Sequence, residues 1–281
     1  MSIQLNMTFK KIQNGYIPSF FVDKVWNKPE EILTVDKPVT LELWDPTNPT
    51  SRAKEFISGY EQIEVTKNGT CGTCKIASGN DGDYVIEDMW HQVSADTWQV
   101  DRKIKIVKAF SAVGIRQRLD FTTSFAEGTE YTGLHYFVPP VLYDHNDLDE
   151  DGIEDYLETQ NLTYREDRLN IPAVMAYHEK RKISMTLIRA DLPQFDSLSG
   201  RKNKERVFLQ ETDIGSLGFW KMDREIPQMC LRAYYPFYEG ERSHALINEE
   251  RPAWEAFWPV RTDVVLEMSY QIRIEEAPNF I

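Results

Sequence analysis

The feature that most constrains this chain is a period of two in its apolar residues. Val264, Leu266, Met268, Tyr270, Ile272 and Ile274 are opposed by Glu267, Ser269, Gln271, Arg273 and Glu275. Successive side chains on a strand point to opposite faces, whereas apolar residues on a helix return every three or four positions, so this alternation is that of an amphipathic β-strand. In a second stretch, Leu119, Phe121, Thr123 and Phe125 face one way and Arg118, Asp120, Thr122 and Ser124 the other. Leu41 and Leu43 alternate with Thr40 and Glu42, and Ile183, Met185 and Leu187 repeat the pattern. Each reads as a half-buried strand. Asn68-Gly69 suits a tight hairpin turn, and Asn80-Asp81-Gly82-Asp83 and Ser199-Gly200 supply further breaks.

Helical periodicity is weak throughout, the best candidate being a short piece near Asp155 to Asn161. Long amphipathic strands with few helices to cover them bury their apolar faces sheet against sheet. The expectation is an all-β chain, a large antiparallel β-sandwich with few short helices. The loops around Pro46, Pro49 and Ser51 and from Leu198 to Glu205 are too short for domain linkers, and there is no internal repeat. Residues 1–281 are therefore read as a single β-sandwich domain with an excursion at 144–161.

Charge narrows the partners. Against 32 basic residues stand 45 acidic ones, a net charge of -13, which repels nucleic acid and anionic membrane surfaces and leaves cations and neutral ligands. No stretch approaches the roughly 20 apolar residues that cross a bilayer. The N-terminus shows no basic leader followed by an apolar run, so no export route is visible. Cys71, Cys74 and Cys230 are an odd set and too few for a disulfide framework. A reduced cytoplasm fits, and so does a mature fragment that has lost its leader.

One segment is organised round a cation. Asp147, Asp149, Asp151, Asp155 and Glu158 stand at positions one, three, five, nine and twelve of a loop with Gly152 at six. Calcium takes six to eight oxygens, so carboxylates two residues apart wrap round it, glycine allows the sharp turn and the last Glu closes the shell. The backbone carbonyl of Ile153 is the expected ligand at position seven. An ordinary EF-hand carries its apolar residue at position eight, where this chain has Glu154. The variant resembles the calcium repeats of thrombospondin type 3 more than a sensor loop, and a structural Ca2+ pinning an excursion between strands is expected.

Other motifs point to little chemistry. Cys71-Gly-Thr-Cys74 stands alone, without the second pair that a structural zinc site needs, and its residues are expected as small hairpin or buried thiols. His91, His135, His145, His178 and His244 show no metal-ligand spacing, and no nucleophile elbow, phosphate loop or dinucleotide fingerprint occurs. Aromatic residues gather late, interleaved with charge. Sugar rings present apolar faces beside hydroxyls, so Tyr235, Tyr238, Glu239, Arg242, Trp254 and Trp258 are the candidate carbohydrate-binding set, with core packing as the alternative for the aromatics.

Several segments together carry a resemblance: Asp88-Met-Trp90, the run from Trp98 through Arg102 to Ile106, Tyr136-Phe-Val-Pro-Pro-Val-Leu-Tyr143, Arg165 to Val174, and Phe237-Tyr-Glu-Gly-Glu-Arg242. They resemble the N-terminal sandwich domain that precedes the (α/α)6 barrel in six-hairpin glycosidase-like enzymes. That resemblance implies a galactose-mutarotase-like super-sandwich spanning roughly Phe9 to Ile274. It also implies that glycosidic chemistry sits in a separate (α/α)6 catalytic domain or subunit. No catalytic acid or base is assigned. The expected function is a non-catalytic carbohydrate-related module of a polysaccharide-degrading system, stabilised by calcium, with carbohydrate as its partner. Two alternatives stand beside it: an aldose-epimerase-like enzyme on the same fold, needing a His acid and a carboxylate base in one cleft, and a calcium-stabilised structural or assembly protein.

Overall fold

Alternation in sequence becomes alternation in space. In the computed structural model, which describes residues 3–22, 29–45, 47, 53–77, 82–109, 113–124, 134–139, 161–191, 207–221, 229–240 and 254–278, twenty strands form two sheets. The first ten are β1 (Leu5–Ile12), β2 (Gly15–Val22), β3 (Glu30–Thr34), β4 (Val39–Trp44), β5 (Lys54–Ser58), β6 (Gln62–Thr66), β7 (Gly69–Ala77), β8 (Asp83–Ser94), β9 (Thr97–Lys108) and β10 (Gly114–Thr123). The rest are β11 (Leu134–Phe137), β12 (Asn161–Arg165), β13 (Ala173–His178), β14 (Ile183–Arg189), β15 (Val207–Leu209), β16 (Ser216–Lys221), β17 (Met229–Tyr235), β18 (Tyr238–Glu239), β19 (Trp254–Pro259) and β20 (Val265–Glu276). Among the described residues the only helical turn is the 3-10 segment Glu166–Arg168. Asn161, where the sequence suggested a helix end, instead opens β12; the rest of that candidate lies outside the described residues.

The smaller sheet has eight strands in the order β11-β13-β14-β20-β9-β8-β7-β6, all antiparallel neighbours. In β20 Leu266, Met268, Tyr270, Ile272 and Ile274 are buried while Glu267 and Arg273 are exposed, as their period requires. The larger sheet has twelve strands along the path β1-β2-β3-β10-β17-β16-β12, with β4, β5, β15, β18 and β19 attached beside it. Among the described residues its one parallel pair is β15 with β19. The expected antiparallel sandwich of two large sheets is what the chain forms.

β10 is the hub of the larger sheet. Its first half pairs with β4 and β19, and its second half with β3 and β17. Ile115, Leu119 and Phe121 point to the other sheet, where Phe121 meets Trp90 edge to face at 6.2 Å. One apolar cluster runs between the sheets and takes residues from Ile3 to Ile274. Burial of this kind stabilises by about 25 cal/mol per Å2 of apolar surface and supplies the main drive for stacking the sheets.

A fully buried ion pair on neighbouring strands of the smaller sheet reaches across that interior through hydrogen bonds. Arg102 on β9 donates from Nε to Asp88 Oδ1 at 2.8 Å and from Nη2 to Asp88 Oδ2 at 2.6 Å. Its Nη1 donates to the Gln117 side chain of β10 at 2.6 Å and its Nη2 to the Pro38 carbonyl. Tyr60 donates to Asp88, and Trp90 Nε1 donates to Tyr60 Oη at 3.1 Å. Asp88, Trp90 and Arg102 are among the residues that carry the sequence resemblance, and here they tie one sheet to the other. Burial opposes the Arg102 charge, but Asp88 and its neighbours outweigh it and raise the guanidinium pKa.

Cys71 and Cys74 lie on β7, three residues apart, and an odd spacing on a strand sends two side chains to opposite faces. Cys74 is buried against the core and Cys71 is half-buried beside Thr73, both as free thiols. Burial pushes the Cys74 thiol up to about 11.

Candidate functional site

The face of β10 that points away from the core is not open to water. From the sequence, Arg118, Asp120 and Thr122 looked like the solvent side of a half-buried strand. The strand is instead buried on both faces along most of its length, with Arg116 4% and Asp120 7% exposed. Register explains why. Across from Arg116 stands Glu42 on β4, across from Asp120 stands Arg232 on β17, and across from Thr122 stands Cys230. Beyond β17, β16 places Trp220 opposite Cys230 and Gly218 opposite Arg232. Charges of opposite sign on neighbouring strands meet side by side, so each can leave bulk water with its partner beside it.

Together these side chains line a cleft of about 400 Å3 formed by Asp36, Lys37, Glu42, Arg116, Arg118, Asp120, Arg232 and their neighbours. Trp220, Tyr234 and Tyr238 supply its aromatic surface, and Asn161, at the first position of β12, closes one side. Gly218 lets β12 approach closely enough to join this wall. A Cβ there would sit 1.9 Å from the Leu162 carbonyl oxygen, so any side chain would force the strands apart.

The ion pairs are dense. Arg232 grips Asp120 through Nε at 2.6 Å and Nη2 at 2.7 Å, and its Nη1 reaches Tyr234 Oη at 3.3 Å. Arg118 Nε lies 3.2 Å from Asp120 and Nη2 2.8 Å from Glu55. Arg116 donates from Nε to Glu42 at 2.8 Å, from Nη2 to the same oxygen, and from Nη1 to Glu255 at 2.9 Å. The guanidinium groups also stack: Arg232 lies 4.4 Å over the Trp220 ring, and Arg116 4.4 Å over Phe257 and 5.0 Å over Tyr238. Planar, fixed side chains of this kind present rigid donors and flat apolar surface to a ligand.

Electrostatics assigns Asp120 a role. Burial by itself would raise its pKa, but Arg232, Arg118 and Lys37 outweigh burial and bring the carboxyl below the ordinary aspartate value. It is held ionised and doubly gripped, which suits an acceptor of hydrogen bonds and not a general acid, whose pKa must lie near the working pH. Burial pushes the Cys230 thiol, which lines the cleft, up to about 12, and this favours its neutral form.

The candidate carbohydrate residues divide between two faces. Tyr238 lines the cleft. Tyr235 and Trp258 belong to the core, their rings stacked at 6.5 Å with an interplanar angle of 18°. Their neighbours Tyr234 and Phe257 point the other way, toward Arg116, because adjacent residues on a strand take opposite faces. Glu239 is fully buried and paired with Arg168, and Trp254 is half-buried under the Arg165 guanidinium at 5.1 Å. Arg242 lies outside the described residues, as do the expected calcium ligands Asp147, Asp149, Asp151, Ile153, Asp155 and Glu158. Among the described residues no cluster of His, Cys, Asp and Glu is arranged to hold a metal ion.

None of the three described histidines lines the cleft. His91 Nδ1 stands 3.6 Å from Asp101 on the smaller sheet, His135 Nε2 stands 3.8 Å from Glu179, and His178 Nδ1 accepts from the Arg181 backbone N–H at 3.3 Å. The residues that sequence reasoning missed are Glu42, Arg116, Arg232 and Trp220. The run Arg116-x-Arg118-x-Asp120-x-Thr122 marks one charged strand face in the sequence, but Glu42, Arg232 and Trp220 reach it only through the pairing of distant strands.

No family model matches the chain, and no curated protein matches it. Solved structures of similar shape exist. One is the Slr1438 protein from Synechocystis sp. PCC 6803, 10% identical, covering 97% of this chain and 96% of that one with a TM-score of 0.48. Another is a GalM/aldose epimerase homologue from C. elegans, 7% identical, covering 97% and 99% with a TM-score of 0.48. A third is a TPR-domain containing protein from Parabacteroides distasonis ATCC 8503, 12% identical, covering 98% of this chain and 48% of that one with a TM-score of 0.45. Likeness at this level assigns neither a family nor an activity.

Proposed function

We propose that the chain is a non-catalytic carbohydrate-binding β-sandwich module and that the cleft on the larger sheet is its binding site. The observation that carries this reading is a single concave surface that joins three aromatic side chains to fixed guanidinium and carboxylate groups. A sugar ring needs that pair of features: flat apolar area for its C–H face and planar polar groups for its hydroxyls. Asp120, held ionised beneath Arg232 and Arg118, favours binding over proton transfer. The resemblance to sandwich domains that accompany helical-barrel glycosidases points the same way, and a polysaccharide-degrading enzyme is the partner this reading implies.

Glycan-array binding followed by titration calorimetry tests it. Wild type binds a subset of glycans, and Trp220→Ala and Tyr238→Ala each weaken binding by about tenfold, a loss of roughly 1.4 kcal/mol. Wild-type affinity retained in both variants, with the fold intact by circular dichroism, would remove the cleft from the proposal.

Structural calcium in the loop from Asp147 to Glu158 belongs to the same reading. It rests on the ligand spacing alone, five acidic side chains and a glycine at the right positions. Ca2+ added to metal-free protein is expected to raise the melting temperature, EDTA to reverse the gain and Asp149→Ala to abolish the response. A melting temperature indifferent to both reagents would leave the loop as a solvated acidic segment.

A further inference from the structure

The charge balance of the cleft points to a class of ligand. Among its described lining residues, Asp36, Glu42, Glu55 and Asp120 supply four carboxylates, and Lys37, Arg116, Arg118 and Arg232 supply four cations. The arginines are already spent on the acids: Arg116 on Glu42 and Glu255, Arg118 on Glu42, Glu55 and Asp120, and Arg232 on both oxygens of Asp120. An incoming anion would compete with these carboxylates for guanidinium charge they already neutralise, and would stand close to them. An incoming cation would compete in the same way with the guanidinium groups, and either outcome is costly where water is excluded. The net charge of -13 adds a long-range repulsion against anions.

Hydrogen-bonding capacity remains once the charges are matched. A guanidinium has five N–H groups, and with their described partners Arg116 and Arg232 each commit three, which leaves two on each. Ionised carboxylates keep lone pairs beyond those their arginines use. Groups that donate and accept while carrying no charge match this set, and hydroxyls do both. The cleft volume of about 400 Å3 lies toward the small end of ligand pockets, which run from about 300 to 1,000 Å3, and suits one or two rings.

Resting on the carbohydrate reading above, we infer that the cleft selects neutral, unsubstituted hexose oligosaccharides and rejects their uronic acid and sulfated counterparts. The pre-formed ion pairs do the selecting, and Trp220, with Arg232 across one face, provides the platform for the ring.

Calorimetric titration of the full chain tests this with neutral gluco-, manno- and galacto-configured oligosaccharides, their uronate and sulfated counterparts, and low and high salt. The neutral ligands bind at least about tenfold tighter, with affinity unchanged by salt because no counterion is released. Glu42→Gln leaves Arg116 and Arg118 short of a carboxylate, so the preference narrows or turns toward uronates. Should that variant fail to fold, Glu55→Gln, on the more exposed side of Arg118, carries the same test. Uronates bound more tightly by wild type, or a preference unmoved in the glutamine variant, would overturn the neutral assignment and leave carbohydrate binding standing. Failure of every glycan to bind would overturn both.

Discussion

Arg102→Ala is expected to destabilise the fold by about 3–5 kcal/mol, the cost of removing one partner from a buried ion pair. The loss is larger than one missing contact because Asp88 stays behind, fully buried, with only Tyr60 still donating to its side chain among the described groups. The same substitution strips the Gln117 side chain and the Pro38 carbonyl of their shared donor. For a chain whose total stability falls within the usual 5–15 kcal/mol, that places the variant near the folding threshold. Urea denaturation reads it directly. Arg102→Lys keeps a charge but loses the two-pronged grip and is expected to fall between wild type and alanine. A midpoint for Arg102→Ala equal to wild type would mean that Arg102 does not hold Asp88 in the folded chain, and the inter-sheet tie would have no energetic content.

Acid should weaken the fold through the cleft, and Asp120→Asn should show it. The folded-state pKa of Asp120 is depressed relative to the unfolded chain, so its contribution is fully present above the unfolded value of about 3.9. It is lost as pH falls through the lower folded value. Removing the charge is expected to cost about 3 kcal/mol at pH 7, toward the lower end for a broken buried pair because Arg118 keeps Glu42 and Glu55. Below pH 4 the gap between variant and wild type should narrow. Melting temperatures measured for both proteins from pH 7 down to pH 2 check the sign. A gap that stays constant or widens in acid would contradict the ion-pair account.

The two networks share a strand. Gln117 faces the core and is held by Arg102, while Arg116 and Arg118 on either side of it face the cleft. Lys37, which lines the cleft, precedes Pro38, whose carbonyl accepts from the same guanidinium. The buried pair therefore fixes, from beneath, two segments that carry cleft residues.

Much of the strand pattern was legible because side-chain period is a local property. Leu266 to Ile274 alternate in sequence and their burial alternates in the fold. The same rule places Cys71 and Cys74 on opposite faces of β7. Less legible was the difference between a polar face that meets water and one that meets other polar faces. Arg118 and Asp120 carry the same letters in either case, and only Glu42 and Arg232, 76 and 112 positions away, make the second case true. The late aromatic cluster failed to divide itself for a related reason. Tyr234 and Tyr235 are adjacent and chemically alike, and the register of β17 against β10 alone sends the first to the cleft and the second to the core.

By itself the sequence determined that the chain builds amphipathic strands stacked as sheets, that its overall charge is strongly negative and that one acidic segment carries calcium-ligand spacing. Tertiary structure alone decided which polar side chains leave water together. Pairing between strands far apart in the chain sets that outcome, because a charge is tolerated inside a fold only where a partner of opposite sign is brought to it, and no local pattern names the partner.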